Sequence, residues 1–390
     1  MTDALVTPEL HAQAVAWRRH LHAHPEVAFA EHETSRFVEE TLRSFGGLEI
    51  ERPTPTSVVA RLRGSRPGKT LALRADIDAL PIEEENEVEY ASRIPGAMHA
   101  CGHDGHTAML LTAARELVRR RDELAGEVRF LFQHAEEVQP GGAVQLVRGG
   151  VMDGVDMVVG THLMSTIETG KTVIVRGAAM AATDTFEARI RGVGGHAAMP
   201  QLLVDPILAS AHAVTALQGI VSRSVSPLDA AVVSVTRIVG GTATNVIPEE
   251  VELWGTVRTF STAVKERVRA RMEEVLHGVC DAHGATYELQ HVDGCAAVVN
   301  DDGVAEYLEG LVRLDGGDDA IGEAPPMMGG EDFSAYLGEA PGAFVWIGCR
   351  NDAVGACYPH HHPRFAIDEE AMKTGLALFQ RVALDFLRPA

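Results

Sequence analysis

The sequence has few cysteines, few basic residues and no long apolar segment. Its five cysteines are widely spaced without a CxxC pair, which argues against a disulfide framework. No apolar run reaches about 18 residues, and the first residues lack the basic and apolar regions of a signal peptide. The 34 Lys and Arg against 55 Asp and Glu argue against nucleic acid or an anionic membrane as a partner. We therefore expect a cytoplasmic protein.

The composition nevertheless supports a substantial globular protein. Its 390 residues, 46% of them hydrophobic, are enough for two or three average domains with buried cores. Histidine is abundant, with 18 residues in the chain. The location of these histidines decides which chemistry the sequence predicts.

The outer parts of the chain predict an α/β domain with a mostly parallel sheet and helices on both faces. Short apolar runs alternate with segments of helical apolar spacing, and buried strands separated by helices are typical of this class. The strand predictions are 70–75, 128–132, 155–160 and 344–348, and the helix predictions are 10–21, 34–45, 107–120, 304–314 and 368–386.

The middle of the chain has a different pattern. Four segments between residues 182 and 293 alternate with a period of two, which is typical of half-exposed antiparallel strands, and two helical stretches lie between them. Their β-α-β-β-α-β order predicts a ferredoxin-like α+β module. We therefore expect a domain formed by 1–181 and 294–390, interrupted by an inserted domain at 182–293.

Metal-binding side chains follow several predicted strands. Residues 99–106 contain three histidines, a thiol and a carboxylate, the ligand types that a transition-metal site needs. Glu136 and Glu137 follow the strand at 128–132, where one carboxylate can bind metal while the other accepts a proton. The strands at 70–75 and 155–160 are followed by Asp76 and Asp78 and by His162. Each segment alone also fits an ordinary polar loop, but together they favour a metal site.

Seven motifs occur in a characteristic order between about residue 15 and residue 385. They are RADIDALP, MHACGHDGHTAMLL, FQHAEE, GGHAAMP, GGTATNVIP, GGEDFSAYL and HHPRFAIDE. With them the chain resembles the dinuclear-metal amidohydrolases that include hippurate hydrolases, bacterial N-acyl-amino-acid amidohydrolases and plant auxin-conjugate hydrolases. It is also similar to the wider aminoacylase and glutamate carboxypeptidase peptidases. The resemblance implies a zinc-peptidase-like catalytic domain and an inserted dimerisation or lid domain.

The resemblance also implies roles for individual residues. The metal ligands that it implies, for two divalent ions per subunit, are Cys101, His103, Glu137, His162 and His361. Glu136 takes the role of general base, and Asp78 orients a ligand or tunes the metal environment. Wider relatives have a bridging carboxylate where this chain has the thiolate of Cys101. Such a bridge favours Zn²⁺, Co²⁺ or Ni²⁺, with Mn²⁺ also open.

In the inserted domain, His196, Asn245 and Arg258 match positions that contact the substrate carbonyl and carboxylate in relatives, in some cases from the partner subunit. The resemblance therefore implies a homodimer or higher homo-oligomer that hydrolyses the amide bond of a small N-acyl amino acid. A dipeptidase or carboxypeptidase of the same fold and an inactive metal-binding dimer are the alternatives. Retention of Glu136 argues against the inactive dimer. Departures at His134, Val138 and Gln139 leave the acyl preference open.

Overall fold

The helices and strands follow the order that the sequence predicts. The computed structural model describes residues 5–389. Its α-helices are α1 (Pro8–Ala23), α2 (His32–Phe45), α3 (His103–Arg119), α4 (Ala143–Arg148), α5 (Pro206–Arg223), α6 (Thr262–His283), α7 (Asp302–Gly316), α8 (Ser334–Leu337) and α9 (Ala371–Phe386). Within these residues, no helix is both long enough and apolar enough to span a membrane.

The strands vary from two to twelve residues in length. They are β1 (Glu49–Glu51), β2 (Val58–Arg63), β3 (Arg66–Asp76), β4 (Ala125–Gln133), β5 (Met157–Glu168), β6 (Thr172–Val173), β7 (Gly177–Met180), β8 (Ala182–Arg191), β9 (Gly195–His196), β10 (Ala231–Gly240), β11 (Val246–Ile247), β12 (Glu250–Thr259), β13 (Thr286–Asp293), β14 (Val298–Asn300) and β15 (Gly342–Arg350).

The chain divides into two compact units. The first comprises the residues up to 179, Val299–Pro325 and the residues from 332 onward. Its seven-stranded sheet has the order β1-β2-β4-β3-β5-β15-β6. The four strands β4, β3, β5 and β15 are parallel to one another, and antiparallel pairs flank them on both sides. The predicted α/β class with a mostly parallel centre is confirmed.

Two glycines allow the N-terminus of α3 to approach β5 closely. Gly102 directly precedes the helix, and Gly105 lies in its first turn. Gly102 has a φ of 91°, a left-handed conformation that favours glycine. A Cβ on Gly105 would lie 2.6 Å from Cδ1 of Leu163 in β5. A larger residue would therefore strain the backbone at position 102 and displace the Leu163 side chain at position 105.

The second unit comprises Met180–Val298 and Pro326–Glu331. Its four-stranded sheet has the order β10-β12-β8-β13, and all three strand pairs are antiparallel. Apolar residues of α5 and α6 pack against this sheet in two buried clusters. The β-α-β-β-α-β order and the strand order are those of a ferredoxin-like module.

Candidate metal centre

The carboxyl end of β3 supplies two buried aspartates. Asp76 is the last residue of the strand, and Asp78 follows two residues later; both are almost completely buried. The ring Nδ1–H of His103 donates to the backbone oxygen of Asp78 at 2.9 Å and lies 3.2 Å from its Oδ1. Because Nδ1 is used in this way, the Nε2 atom of His103 is the one that faces the centre.

The buried Nε2 atom of His103 has no hydrogen-bond partner among the described residues. It lies 3.9 Å from Oε1 of Glu137 and 3.6 Å from Oδ2 of Asp76. A buried ring nitrogen without a partner costs free energy unless another group satisfies it. This orphaned atom, surrounded by carboxylates, fits a metal ligand.

Glu136 and Glu137 lie in the turn that follows β4. Ala135, which precedes them, is buried with a φ of 49°. The backbone N–H of Glu137 donates to Oδ2 of Asp78 at 3.0 Å. Asp78 therefore holds two neighbouring groups, the His103 ring and the Glu137 backbone.

His162 lies within β5, which corrects the prediction that this strand ends before it. The sequence predicts a strand at 155–160, but β5 continues to Glu168 because it pairs with β15 beyond the end of β3. His162 is paired in register with Trp346. Its Nδ1–H donates to the oxygen of Leu163 at 3.0 Å, and its Nε2 lies 3.5 Å from Sγ of Cys101.

His361 reaches the same place from the C-terminal part of the chain. Its backbone has a φ of 62°, and its N–H donates to the oxygen of Ala100 at 2.8 Å. Its Nε2 lies 3.2 Å from Oε1 of Glu137. The side chain is 51% exposed, so this edge of the centre is open to solvent.

The ligand atoms of these residues form three overlapping groups, each with all atoms within 4.8 Å of one another. The groups are Cys101 with His103 and His162, Cys101 with Glu137 and His361, and His103 with Glu136 and Glu137. Cys101, His103 and Glu137 each belong to two of these groups. Thiolate, imidazole and carboxylate ligands together suit Zn²⁺ and similar transition metals.

The charges in the centre favour bound cations. Burial lowers the pKa of His103, but the carboxylates of Asp76, Asp78 and Glu137 outweigh it and raise that pKa to about 10. Burial raises the pKa of the Cys101 thiol well above its usual value, and Glu137 and Glu136 raise it further. Protons compensate this cluster of negative charge, and divalent cations can replace them.

His106 is held in one neutral form by contacts on both ring nitrogens. Its Nδ1–H donates to Oδ1 of Asp76 at 2.6 Å, and its Nε2 accepts the N–H of Leu163 at 2.8 Å. Burial lowers its pKa. Although Asp76, His103 and His106 lie close enough to hold an ion, His106 has no free ring nitrogen. It supports the strand beside His162.

A buried arginine extends this support. The guanidinium of Arg74 donates to Oδ2 of Asp76 at 2.7 Å, to Asp332 at 2.9 Å and to Gln133 at 2.8 Å. The sequence predicts Asp76 near the metal site, whereas Arg74 appears there only within the RADIDALP motif. The RADID pattern signals both residues, but nothing in it indicates Asp332 as a partner.

The three predicted substrate contacts lie in the second unit. Exposed His196 in β9 pairs with Val246 of β11, and the N–H of Ala197 donates to the oxygen of Asn245 at 3.0 Å. His196 and Asn245 are therefore neighbours. Arg258 is in β12 of the four-stranded sheet, where its guanidinium donates to the oxygen of Val257 at 3.1 Å.

Comparison with known proteins decides the family. The family model described as peptidase family M20/M25/M40 matches residues 72–385. The chain belongs to this family. It is 57% identical over 294 residues to an N-acyl-L-amino acid amidohydrolase of Geobacillus stearothermophilus, covering 75% of this chain and 80% of that protein. It is 39% identical over 372 residues to thermostable carboxypeptidase 2 of Saccharolobus solfataricus, covering 95% and 94%.

A solved structure supports the same assignment to the M20 family. The YXEP protein of Bacillus subtilis, described as a dinuclear metal-binding peptidase from the M20 family, superimposes with a TM-score of 0.86 and 36% identity. The alignment covers 97% of this chain and 99% of that one. The resemblance found in the sequence is confirmed. The protein is thus a metal-dependent M20-family enzyme that acts on amide bonds.

Proposed function

We propose that this enzyme hydrolyses the amide bond of N-acyl amino acids with two divalent ions per subunit. Their ligands are Cys101, His103, Glu137, His162 and His361. The observation that carries this proposal is the overlap of three ligand groups within 4.8 Å, one of which includes Glu136. Divalent ions held there supply Lewis acidity, which activates water and polarises an amide carbonyl.

The residues of the chain perform the proton transfers. Glu136 accepts a proton from the attacking water and passes it to the leaving amine nitrogen, so one carboxylate serves as base and then as acid. Asp78 keeps His103 in the form that presents Nε2 and holds the backbone of Glu137. His196, Asn245 and Arg258 contact the substrate carbonyl and carboxylate, and Arg258 binds the carboxylate as a fork of two donors.

The second candidate is a carboxypeptidase, which the Saccharolobus relative favours. Both activities release an amino acid with a free carboxylate, so Arg258 suits both. An N-acyl dipeptide separates them, because a carboxypeptidase removes the last residue whereas an amidohydrolase removes the acyl group.

A panel of substrates and metals tests the proposal. N-acetyl-, N-benzoyl- and indoleacetyl-amino acids are compared with dipeptides and an N-acyl dipeptide, each with Zn²⁺, Mn²⁺, Co²⁺ and Ni²⁺. We expect the highest kcat/KM on an N-acyl amino acid. Faster release of the last residue from the N-acyl dipeptide would favour the carboxypeptidase instead. Metal binding without any hydrolysis would indicate an inactive metal-binding protein.

We also propose a homodimer formed through the second unit. The second unit has several half-exposed large apolar side chains, among them Ile207, Leu208, Ile238, Val239 and Val246. The strand β10, which carries two of them, is an edge strand with one partner in its sheet. Exposed apolar residues on an edge strand favour association with a second chain. The cytoplasmic location stays a prediction.

Sedimentation of two variants tests the dimer. Ile238→Asp places a charge in the proposed interface and should shift the protein to monomer. Leu314→Asp, at a residue of the first unit that is 53% exposed, is the matched control and should leave the oligomeric state unchanged. A monomeric wild-type protein would contradict the proposal.

A further inference from the structure

Glu31 stands at the start of α2 but does not cap it. It is the N-cap residue, and its side chain makes no capping hydrogen bond to the helix. The carboxylate of Glu26 takes that role, accepting the N–H groups of Glu33 at 3.1 Å and Thr34 at 2.8 Å. The Glu31 carboxyl is therefore available for another contact.

That contact is the backbone of the turn that carries the proposed base. Oε1 of Glu31 accepts the N–H of Ala135 at 2.7 Å, across 104 residues of sequence. Both residues are 0% exposed. Since Ala135 directly precedes Glu136, the bond fixes the backbone from which the glutamate pair extends.

The turn needs such support because its backbone is unfavourable for alanine. Ala135 has a φ of 49°, a left-handed conformation that residues other than glycine rarely adopt without surrounding constraints. The oxygen of Ala135 also accepts the N–H of Gly142 at 3.0 Å. The bond from Glu31 thus completes the backbone hydrogen bonding of Ala135, a residue outside the helices and strands.

A second contact joins the same two segments. Phe29, two residues before Glu31, places its ring 5.6 Å from the ring of His134, centroid to centroid. Phe29 itself has a φ of 65°. The segment at 29–31 therefore contacts both residues that lead from β4 into the glutamate pair, one through its ring and one through its backbone.

We propose that Glu31 is a positioning residue that holds the Ala135 turn, and thereby Glu136 and Glu137, through the acceptor oxygen of its side chain. The inference rests on the roles proposed above for Glu136 and Glu137. Together with Asp78, which accepts the N–H of Glu137, Glu31 places a side-chain acceptor on each side of Glu136.

The acceptor, not the negative charge, is what this role requires. Burial and then the nearby charge of Asp78 raise the pKa of Glu31 to about 7. A protonated carboxyl still offers its carbonyl oxygen to the N–H of Ala135, so the contact persists in both forms. Glutamine offers an oxygen at the same distance from the backbone, whereas aspartate keeps the charge on a side chain one carbon shorter.

Two variants separate these properties. Glu31→Gln should keep metal affinity and kcat within a few-fold of wild type. Glu31→Asp should lose about 10- to 100-fold in metal affinity or kcat, as outer partners of metal sites commonly do. Glu33→Asp, two residues further along the chain with an exposed side chain, is the control and should change neither. Equal behaviour of the Gln and Asp variants, or a loss confined to Glu31→Gln, would overturn the proposal.

Hydrogen exchange of the Ala135 amide gives a readout without metal or substrate. In metal-free protein this amide should exchange slowly in wild type and Glu31→Gln and faster in Glu31→Asp. If Glu31→Asp does not fold, the measurement on the wild-type protein alone tests the proposal. Exchange of the Ala135 amide hydrogen as fast as that of exposed Val138 would overturn it. Because neither exchange nor metal affinity needs a substrate, a failure of the N-acyl amino acid assay leaves this test intact.

Discussion

The carboxylate of Asp78 accepts the backbone N–H of Glu137 at 3.0 Å. Its other oxygen lies 3.2 Å from the Nδ1 of His103. One side chain thus connects two proposed ligands that are 34 residues apart in the sequence (137 − 103). This arrangement gives a first prediction.

Asp78→Asn should weaken metal binding or kcat by about 10- to 100-fold, because asparagine keeps one acceptor oxygen and places an NH₂ group, which cannot accept a hydrogen bond, where the other oxygen now lies. Metal affinity is measured by competition with a chromophoric chelator. Asp156→Asn is the control, since exposed Asp156 also accepts a backbone N–H, that of Thr70 at 2.7 Å, away from the centre. Equal affinities of both variants would contradict the role of Asp78.

Glu136→Gln should keep both metal ions and lose at least about a hundredfold in kcat, because glutamine cannot accept the proton from water. Elemental analysis measures the metal content, and steady-state kinetics measures kcat. Glu168→Gln, at the exposed end of β5, is the control for loss of one carboxylate. Undiminished turnover of Glu136→Gln would refute the base assignment.

Cys101→Ala should lower the bound metal, because it removes a ligand that belongs to two of the three groups. Cys357→Ala removes a half-buried thiol elsewhere in the first unit and should leave the metal content unchanged. Both proteins are compared by elemental analysis after dialysis. Full occupancy in Cys101→Ala would show that the thiolate is not a ligand.

Metal binding at pH 7 should release about two protons per subunit from Cys101 and His103. Both pKa values are raised, that of His103 to about 10, so both groups are protonated in the metal-free protein at pH 7. Ligation needs a thiolate and a neutral imidazole, so affinity should rise with pH and fall as the solution is acidified. Calorimetry in buffers of different ionisation enthalpy counts the protons. A binding enthalpy independent of the buffer would contradict this prediction.

Arg258→Ala should mainly raise KM for substrates with a free carboxylate, because it removes the proposed donor fork. Arg237→Ala is the control: Arg237 is in the same unit, and its guanidinium carbon lies 4.3 Å from the ring centroid of Trp254. An unchanged KM in Arg258→Ala would mean that other residues bind the carboxylate.

Local sequence patterns predict most of the fold. The helix predicted at 10–21 is found as Pro8–Ala23, and that at 34–45 as His32–Phe45. Here apolar periodicity and the flanking residues act within one element. The predicted extent of β5 was wrong because its last residues pair with β15, which lies more than 170 residues later in the chain.

The candidate site shows the same division. Motif resemblance predicts the ligands and the base, and the structure brings those of the first unit together. The contacts of the residues that support them were not predicted. Glu31 contacts Ala135, and Arg74 contacts Asp332, which lies 258 residues away in the sequence. Such contacts depend on the packing of distant segments. The sequence around Glu31 is typical of an ordinary polar helix N-terminus.

The place of His162 in the middle of a paired strand has a consequence for folding. Its side chain faces the centre only when β5 and β15 pair in their native register, with His162 opposite Trp346. A slip of one residue would turn the imidazole to the other face of the sheet. Metal ions that bind all their ligands would therefore stabilise only the correctly aligned sheet, and so discriminate against misregistered chains.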